Sequence, residues 1–409
     1  MRSESPHCTD AVVLGAGLAG CVAALELAHN GQPVTLIDRT RRPMMGASRH
    51  NEGKLHFGYV YAADKRLETH GILACGSLGF LAELERLTGF PRDRFAVSDL
   101  FTYIVPRDSA LRCDDICTYF DTVDDTLARL ASEMALPSLG RVRQTTQAFR
   151  AAHYDDSVQM ALHTPEIAVD PGQVSDVVAA AVYAHPLIHF LGQHSVQEVA
   201  ETSPGRYRIT LDAGEDRVHV AARGVINALW EDRLHMDAMV GLPPQGVWSQ
   251  RWKATVMIEP PSGAVQLPST TALVGPYGDF VQYGNTRIYV SWYPVCRLSM
   301  STTGTPEEAR ALVRASDHAQ IRANALEGLS HLIPGVRDLA QYADNTIIGG
   351  GFIMAAGDRD IDDRQSGLHA RHDIGVERHG SWVSLSTGKF CTAPMFGVKA
   401  ARALQEVLG

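Results

Sequence analysis

The sequence has few cysteines and no long uninterrupted apolar segment. Seven cysteines, an odd number, are spread over 409 residues, which does not fit the disulfide framework of a small secreted protein. The most apolar stretch, residues 11–28, contains Glu26 and three glycines, and it lacks the basic flank of a signal peptide. We therefore expect a cytoplasmic protein without a transmembrane segment.

Positive charge is also scarce. The chain has 37 Lys and Arg against 46 Asp and Glu, a formal net charge of −9. This balance argues against a nucleic-acid partner or a polybasic membrane contact. Cys113 and Cys117 have no second pair at metal-ligand spacing and fit two positions on one helix, so we expect no metal site.

A glycine-rich turn lies between two short apolar runs near the start of the chain. Residues 10–39 read DAVVLGAGLAGCVAALELAHNGQPVTLIDR, which predicts strand, turn, helix and strand. In the turn, Gly15 permits the bend, Gly17 lets the backbone approach a pyrophosphate, and Gly20 lets the helix pack close to the strand. The pattern predicts a Rossmann-type dinucleotide-binding unit.

The flanks of this turn complete the predicted site. Leu18 and Ala19 begin the helix, whose free N–H groups and positive dipole end attract phosphates. The second strand ends at Asp38, followed by Arg39. The Asp38 carboxylate can accept hydrogen bonds from both ribose hydroxyls, which favours an adenosine without a 2′-phosphate. The motif alone does not choose between NAD and FAD.

Two later segments resemble the D-amino-acid-oxidase-like superfamily of flavoproteins, which includes glycine oxidase. Residues 48–58, SRHNEGKLHFG, match the Ser-x-x-Asn-x-Gly-x-x-His-x-Gly pattern of L-2-hydroxyglutarate oxidases. Residues 385–404, LSTGKFCTAPMFGVKAARAL, resemble the Gly-Lys-x-Thr-Thr segment of flavin-dependent glycerol-3-phosphate dehydrogenases. The resemblance implies FAD as the cofactor, with residues 46–61 passing beneath the isoalloxazine ring.

Both segments are then expected to contact the flavin. Glycines would lie where backbone meets the ring, and polar side chains would face the reacting pocket. The expected contacts are Ser48, Arg49, Asn51, Gly53, Gly388, Lys389, Phe390, Cys391 and Thr392. A thioether from Cys391 to the flavin is the alternative to noncovalent binding.

His56 and Lys389 are the candidate catalytic residues. His56 would polarise or deprotonate a substrate O–H or N–H. Lys389 would place positive charge near the pyrimidine edge of the ring and stabilise the reduced flavin. The structural alternatives are a histidine that satisfies a loop backbone and a lysine exposed at the surface.

Candidate substrate-binding residues come from the loop and from predicted strands. An arginine suits a carboxylate because its guanidinium can make two parallel hydrogen bonds. The expected pocket residues are Lys54, Tyr283, Tyr293 and Arg297, and the other arginines considered are Arg251, Arg287 and Arg371. Each of these could instead pack within a sheet or form a surface ion pair.

The expected fold class is α/β, with a Rossmann-type FAD-binding domain interleaved with a mixed-sheet α+β substrate domain. The FAD-binding domain would comprise residues 1–75, 165–240 and 345–409, and the substrate domain residues 76–164 and 241–344. β-Branched and aromatic residues predict substrate-domain strands at 251–260, 279–284 and 286–294. Thr305, Pro306 and Glu308 predict a capped helix over 305–315, which we interpret as outer scaffolding.

The resemblance implies an FAD-dependent oxidoreductase. It would transfer hydride from the carbon of a small amine, amino acid or 2-hydroxy acid to flavin N5, and oxygen or another acceptor would reoxidise the flavin. The 48–58 motif favours an alcohol, whereas the layout suits amine oxidases equally well, so both stay open. The rival interpretations are a flavoprotein scaffold or non-redox FAD enzyme, and an NAD-dependent dehydrogenase.

Overall fold

The computed structural model describes residues 7–214, 216–371 and 374–409. These residues form two sheets with helices packed on them. The strands are β1 (His7–Leu14), β2 (Val34–Ile37), β3 (Thr102–Pro106), β4 (Arg143–Gln144), β5 (Val158–His163), β6 (Ile188–Leu191), β7 (Ser195–Ser203), β8 (Arg206–Ala213), β9 (Asp216–Asn227), β10 (Trp248–Ile258), β11 (Thr270–Ala272), β12 (Gly278–Tyr283), β13 (Arg287–Trp292), β14 (Arg297–Ser301), β15 (Thr346–Ala356), β16 (Gly375–His379) and β17 (Trp382–Ser386). The α-helices are α1 (Leu18–His29), α2 (Thr69–Thr88), α3 (Cys113–Glu133), α4 (Gln147–His153), α5 (Pro171–Ala184), α6 (Arg233–Met239), α7 (Tyr293–Cys296), α8 (Pro306–Arg314), α9 (His318–Ser330) and α10 (Ala393–Leu408).

The first sheet has the strand order β16-β17-β9-β1-β2-β6. Its strands from β17 to β6 run parallel, β16 is antiparallel, and β7 and β8 extend β9 as an antiparallel meander. The central strand β1 is flanked by β2 and β9, and β1 leads directly into the glycine turn and α1. This is the predicted Rossmann-type arrangement, and it is confirmed.

Helix α1 is buried along nearly all of its length. Its residues are mostly alanine, leucine, valine and cysteine, and α5 and α10 pack against it. The approach of α10 is close, since a Cβ at Gly397 would lie 2.7 Å from the carbonyl oxygen of Ala19. The C-terminal segment is thereby held against the start of the chain.

The second sheet has the order β14-β10-β13-β12-β11-β3-β5-β4, with β15 also paired to β10. It is mixed, because β11 and β3 are parallel whereas the other pairs are antiparallel. Helix α9 packs on β13, and the apolar residues between them form a core separate from that around α1. The three strands expected at 251–260, 279–284 and 286–294 are present as β10, β12 and β13.

Two features differ from the sequence-based expectations. Strand β15 pairs with β10 along its whole length, so it belongs to the second sheet, although residues 345–409 were assigned to the FAD-binding domain. Helix α8 has the expected capping box, but two of its side chains reach an internal cavity, so it is not merely outer scaffolding. The domain division itself stays a prediction. No helix in the described part of the chain has the length and apolarity needed to cross a membrane.

Candidate active site

A cavity of about 770 Å³ lies between the two sheets, and a volume of this size is typical of ligand sites, which are ~300–1,000 Å³. At one end its wall is the glycine turn with Asp38, Arg39 and Thr40, which we call the glycine end. At the other end it reaches the face of the second sheet. We call this the sheet end; its wall includes Glu52, Lys253, Asp279, Tyr289 and Lys389.

Steric constraints in the turn explain the glycines. Gly15 has φ +93°, and a Cβ there would lie 2.6 Å from the carbonyl oxygen of Ala228. A Cβ at Gly20 would lie 1.8 Å from the carbonyl oxygen of Gly15. Gly17 is the N-cap of α1 and supplies no capping side chain, and the first residues of the helix line the cavity. The N–H of Leu18 is bound by Ser48, and the other free N–H groups of this helix N-terminus fit a phosphate group.

Asp38 is fixed at the cavity wall by hydrogen bonds. One carboxylate oxygen accepts from the backbone N–H of Ala16 at 2.7 Å, and the other accepts from the N–H and the hydroxyl of Thr40, both at 2.7 Å. The oxygen that accepts from Ala16 keeps a free lone pair, so the carboxylate can still accept from a ribose hydroxyl. Arg39 also lies on the wall, paired with Glu231 and, at 2.8 Å, with Asp232.

The 46–52 loop closes one side of the cavity. Ser48 Oγ accepts a hydrogen bond from the N–H of Leu18 at 2.9 Å, which joins the loop to the start of α1. Asn51 Nδ2 donates to the carbonyls of Ala47 and Ser48, and its Oδ1 accepts from the N–H of Gly53. Asn51 therefore holds the loop in a turn, with Ser48 and Asn51 both on the cavity wall.

The 46–52 loop packs closely against β15 at three consecutive glycines. A Cβ at Gly349 would lie 2.1 Å from Nδ1 of His50, and a Cβ at Gly351 would lie 2.6 Å from Cβ of Ala47. Any larger residue would push the second sheet away from the loop. The sequence signal for this contact is GGG within an otherwise apolar strand, but the contact was not predicted from it.

The C-terminal segment forms an adjoining part of the wall. Gly388, Lys389 and Phe390 line the cavity, and Gly388 has φ +66°. Thr392 lies behind them, where its hydroxyl donates to the carbonyl of Thr387 at 2.6 Å and lies 2.8 Å from that of Lys389, which fixes the turn.

Cys391 lies behind the wall as well. It is fully buried, and burial raises the pKa of its thiol to about 11. Cys391 and Thr392 are therefore placed to support the wall rather than to contact a ligand, and the thioether alternative gains no support from this position.

Charged side chains meet at the sheet end. Glu52 Oε1 lies 3.3 Å from Nε2 of His56 and 3.8 Å from Nζ of Lys389. Burial alone raises the pKa of the Glu52 carboxyl, but Lys389, His56 and Lys253 outweigh this effect and hold the pKa well below its ordinary value. Glu52 is therefore ionised and can only accept hydrogen bonds.

His56 differs from the expected proton-handling residue. Its side chain is only 4% exposed, and burial, followed by the charge of Lys389, lowers its pKa to about 3. The imidazole is thus neutral at pH 7, and because Glu52 accepts only, Nε2 must be the donor in their hydrogen bond. In this geometry His56 orients Glu52 and does not titrate near neutrality.

Lys253 and Asp279 are site residues that the sequence reasoning missed. Lys253 Nζ on β10 lies 3.8 Å from Oδ2 of Asp279 on β12, and Asp279 also accepts from the hydroxyl of Thr271 at 2.8 Å. Burial lowers the pKa of Lys253, but Tyr289, Asp279 and Glu52 outweigh it and raise the pKa above its ordinary value. The sequence feature that could have identified these two residues is a charged side chain within a mainly apolar strand, lysine in β10 and aspartate in β12.

Several predicted contacts lie outside the cavity. Arg49 points away and pairs with Asp176 at 2.8 Å. Gly53 packs against the backbone, since a Cβ there would lie 1.9 Å from the carbonyl oxygen of Val169. Lys54 is buried beneath the sheet end, 3.4 Å from Asp279 and 4.1 Å from the ring centre of Phe101. These placements do not bring Arg49, Gly53 or Lys54 to a ligand.

Some of the predicted tyrosines and arginines line the cavity and others do not. Tyr283 is buried behind the wall, with its hydroxyl donating to the carbonyl of Glu52 at 2.6 Å. Arg297 pairs with Asp360 at 3.0 Å away from the cavity, whereas Tyr293 lines it and donates to Asp360 at 2.5 Å. Of the four arginines considered, the described residues place Arg371 alone on the wall.

A profile of the family described as FAD dependent oxidoreductase (DAO) matches residues 10–387. The chain belongs to this family. It is therefore a flavoprotein oxidoreductase that uses FAD, and the NAD alternative is set aside. The site fits this cofactor, because the glycine end provides the backbone turn and helix N-terminus for a pyrophosphate and the cavity continues to a charged pocket.

Similar proteins include a bifunctional enzyme and two oxidases. The tRNA 5-methylaminomethyl-2-thiouridine biosynthesis bifunctional protein MnmC of Ralstonia nicotianae is 52% identical over 46 residues, 11% of this chain and 7% of that protein. Curated relatives are matched over at most 14% of their length. Glycine oxidase from Geobacillus kaustophilus has a TM-score of 0.65 at 15% identity, covering 98% of this chain and 95% of that one. L-alpha-glycerophosphate oxidase from Mycoplasma pneumoniae, solved with FAD bound, has a TM-score of 0.62 at 14% identity, covering 98% and 95%. These two structures show the same fold.

Proposed function

We propose that this FAD-dependent enzyme oxidises the CH–NH bond of a small amino acid. One observation carries the proposal: the ionised carboxylate of Glu52 and the ammonium of Lys389 lie 3.8 Å apart on one wall of the cavity. This separation is longer than a hydrogen bond, so each group keeps capacity for a partner of opposite charge. The α-ammonium and α-carboxylate of an amino acid provide that pair of charges.

Further positive charge lies near the same wall. Lys253 and Arg371 line the cavity together with Lys389, and Arg371 Nε has no hydrogen-bond partner in the described structure. A substrate carboxylate would be held among these groups, while Glu52 would accept a hydrogen bond from the substrate nitrogen. The substrate would thus be oriented by two contacts of opposite sign.

The amine must be neutral when its carbon gives up hydride, so an ammonium would first lose a proton to water. Neighbouring positive charges, here Lys253 and Lys389, would favour this loss by lowering the pKa of the ammonium. Glu52 would oppose it by binding the ammonium, and after the loss it would hold the remaining N–H in place. Bound FAD supplies the hydride acceptor for the reaction.

The cofactor contacts form part of the same proposal. The pyrophosphate would lie against Gly15, Gly17, Leu18, Ala19 and Gly20, and Asp38 would hold the ribose. The flavin would lie against the 46–52 loop, with Ser48 and Asn51, and against the adjoining C-terminal segment, with Gly388, Lys389 and Phe390. In this arrangement Lys389 would also stabilise negative charge on the reduced ring.

A 2-hydroxy acid is the second candidate substrate. The pattern formed by Ser48, Asn51, Gly53, His56 and Gly58 resembles that of L-2-hydroxyglutarate oxidases, and one of the similar folds is a glycerophosphate oxidase. Glycine oxidase, which has the same fold, instead supports the amino acid. The Glu52 carboxylate favours an amino acid over a hydroxy acid, because the ammonium of an amino acid neutralises the charge of the carboxylate, whereas a neutral hydroxyl does not.

Anaerobic flavin reduction tests the proposal. The purified enzyme is mixed with a panel of small L- and D-amino acids and with the 2-hydroxy acid of each side chain, and flavin absorbance near 450 nm is followed, a band set by the flavin itself. We expect bleaching by at least one amino acid and a slower or absent response to its hydroxy acid. Faster reduction by the hydroxy acid would favour the second candidate, and no reduction by either class would favour the flavoprotein scaffold.

A Glu52→Gln variant isolates the group that decides between the candidates. Loss of the charged acceptor should weaken amino acid binding about 10- to 100-fold, as expected for one charge-assisted hydrogen bond, and should weaken hydroxy acid binding less. Glu406→Gln is the matched control, since Glu406 is 70% exposed on α10 and pairs only with Arg378 among described partners. Equal weakening of both substrates by Glu52→Gln would contradict a contact with the substrate nitrogen.

A further inference from the structure

The glycine end of the cavity is closed by side chains from both sheets. After β9 the chain forms a short turn, Trp230–Asp232, whose three residues all line the cavity. Arg310 of α8 reaches this turn from the second sheet, with Nη2 at 2.8 Å from Glu231 and 3.6 Å from Asp232. We call Trp230, Glu231, Asp232 and Arg310 the clasp.

The central ion pair of the clasp is largely shielded from water. The side chain of Glu231 is 8% exposed and that of Arg310 is 20% exposed. On the same helix, Arg314 and Glu307 also form an ion pair, but both are 64% exposed. Removing one partner of a shielded ion pair costs more stabilisation energy than removing one partner of an exposed pair. Loss of Arg310 should therefore weaken the clasp, whereas loss of Arg314 should not.

The backbone of the clasp is held in a strained conformation. Trp230 has φ +54°, a value that a bulky residue rarely adopts. Its indole N–H donates to the carbonyl of Phe352 on β15 at 2.9 Å, and the guanidinium of Arg310 lies 5.4 Å from the Phe352 ring centre. The second sheet therefore keeps the turn in place, and such strain is typical of functional positions.

The position of the clasp identifies the part of the cofactor that it covers. Arg39 follows Asp38, the expected ribose ligand, and shares both Glu231 and Asp232 with Arg310. We propose that Arg310 closes the cavity over the adenosine diphosphate half of FAD and thereby limits how fast the cofactor leaves. Arg310 lies on α8, which packs on the second sheet, and the same sheet forms the proposed substrate pocket. Retention of the cofactor and the shape of the pocket therefore both depend on the second sheet.

Cofactor release tests this role without measuring turnover. FAD fluorescence is followed after dilution of the holoenzyme, for the wild type, Arg310→Gln and the control Arg314→Gln. We expect Arg310→Gln to release FAD about 10- to 100-fold faster, as for loss of one charge-assisted hydrogen bond, and Arg314→Gln to match the wild type. Because salt screens a shielded ion pair much less than an exposed one, the difference in release rate between wild type and Arg310→Gln should persist as ionic strength rises.

A coupled variant separates the clasp from general loosening of the fold. Glu231→Gln should also speed release, and the double variant should speed it by less than the product of the two single effects. Both changes break the Arg310–Glu231 pair, whereas the Arg39–Glu231 and Arg310–Asp232 pairs are each broken by one of them. The proposal would be overturned if Arg310→Gln released FAD at the wild-type rate or if Arg314→Gln accelerated release as much as Arg310→Gln. It would also be overturned if the effects of Arg310→Gln and Glu231→Gln on the release rate multiplied fully in the double variant. Thermal unfolding of the FAD-free proteins checks that the variants fold alike.

Discussion

At the glycine end the cavity wall contains the backbone of the glycine turn, whereas at the sheet end it contains a cluster of charged side chains. The glycine turn depends on Gly15 and Gly20, where a Cβ would clash with a backbone carbonyl oxygen, and on Gly17, where it would lie 3.2 Å from Oγ of Ser48. The sheet end depends on Glu52 and Lys389, whose charges come from segments far apart in the chain. The glycine turn is defined by sterics and the charged cluster by electrostatics.

The comparison indicates where this enzyme is general and where it is specific. A backbone cradle fits any phosphate of the right shape, and it binds a cofactor that the whole family shares. Buried charges are costly to desolvate and are retained where orientation matters. We therefore expect changes at the glycine end to abolish cofactor binding and changes at the sheet end to alter rate and substrate choice.

The largest effect is expected from Gly17→Leu. At this cavity-wall position a Cβ would lie 3.2 Å from Oγ of Ser48, so a leucine would crowd the wall where we propose the pyrophosphate binds. The Kd for FAD should rise at least about 100-fold and the protein should purify colourless. The measurement is the ratio of flavin to protein absorbance. Gly71→Ala is the control, because nothing lies within 4 Å of its Cβ. Stoichiometric FAD in Gly17→Leu would refute the steric description of this end.

Lys389→Met should have the next largest effect. Removing a charge that we propose lies beside the ring should slow anaerobic flavin reduction about 30- to 1,000-fold, the effect of one lost electrostatic contact in a catalytic site. It should also lower the flavin midpoint potential measured without substrate, which a residue that only anchors substrate would not do. Lys399→Met, on the exposed face of α10, is the control. An unchanged potential with a raised KM would limit Lys389 to substrate binding.

His56→Asn probes the electrostatics of the sheet end through pH. The folded pKa of about 3 lies below the ordinary value of 6.5, so between these values the unfolded chain binds a proton that the folded chain does not. Stability is therefore lost as pH falls through this window, by about 1.4 kcal/mol per pH unit below pH 6. Urea unfolding should show this slope in the wild type and a shallower slope in His56→Asn. Identical slopes would contradict a buried, neutral imidazole.

The smallest effect is expected from Arg49→Gln. Its partner Asp176 is 55% exposed, and pairs of this kind contribute about 0–1 kcal/mol to the free energy of unfolding. FAD release should change less than about twofold, since Arg49 does not reach the cavity. A large increase in the release rate would restore Arg49 as a cofactor contact and blur the difference between the two ends.

The predictable part of the site is the part that is local in sequence. Gly15, Gly17, Gly20 and Asp38 lie within one strand-turn-helix-strand unit, so their spacing alone sets their geometry. The C-terminal glycine and lysine at 388 and 389 were found only through a resemblance. The GGG run at 349–351 and Arg310 went unrecognised, because their partners are loops and turns from distant segments.

By itself the sequence determined a Rossmann-type unit, the flavin family and the existence of a polar loop at 46–61. Tertiary structure decided which polar residues face the cavity. Lys54 was expected in the pocket, but its backbone pairs with Ala168, and its side chain is turned beneath the sheet end. Lys253 reaches the cavity from β10, whose pairing with β15 is in unbroken register from Trp248 to Ile258. A shift of this register by one residue would turn Lys253 to the other face, and the register is set by partner strands rather than by the strand's own residues.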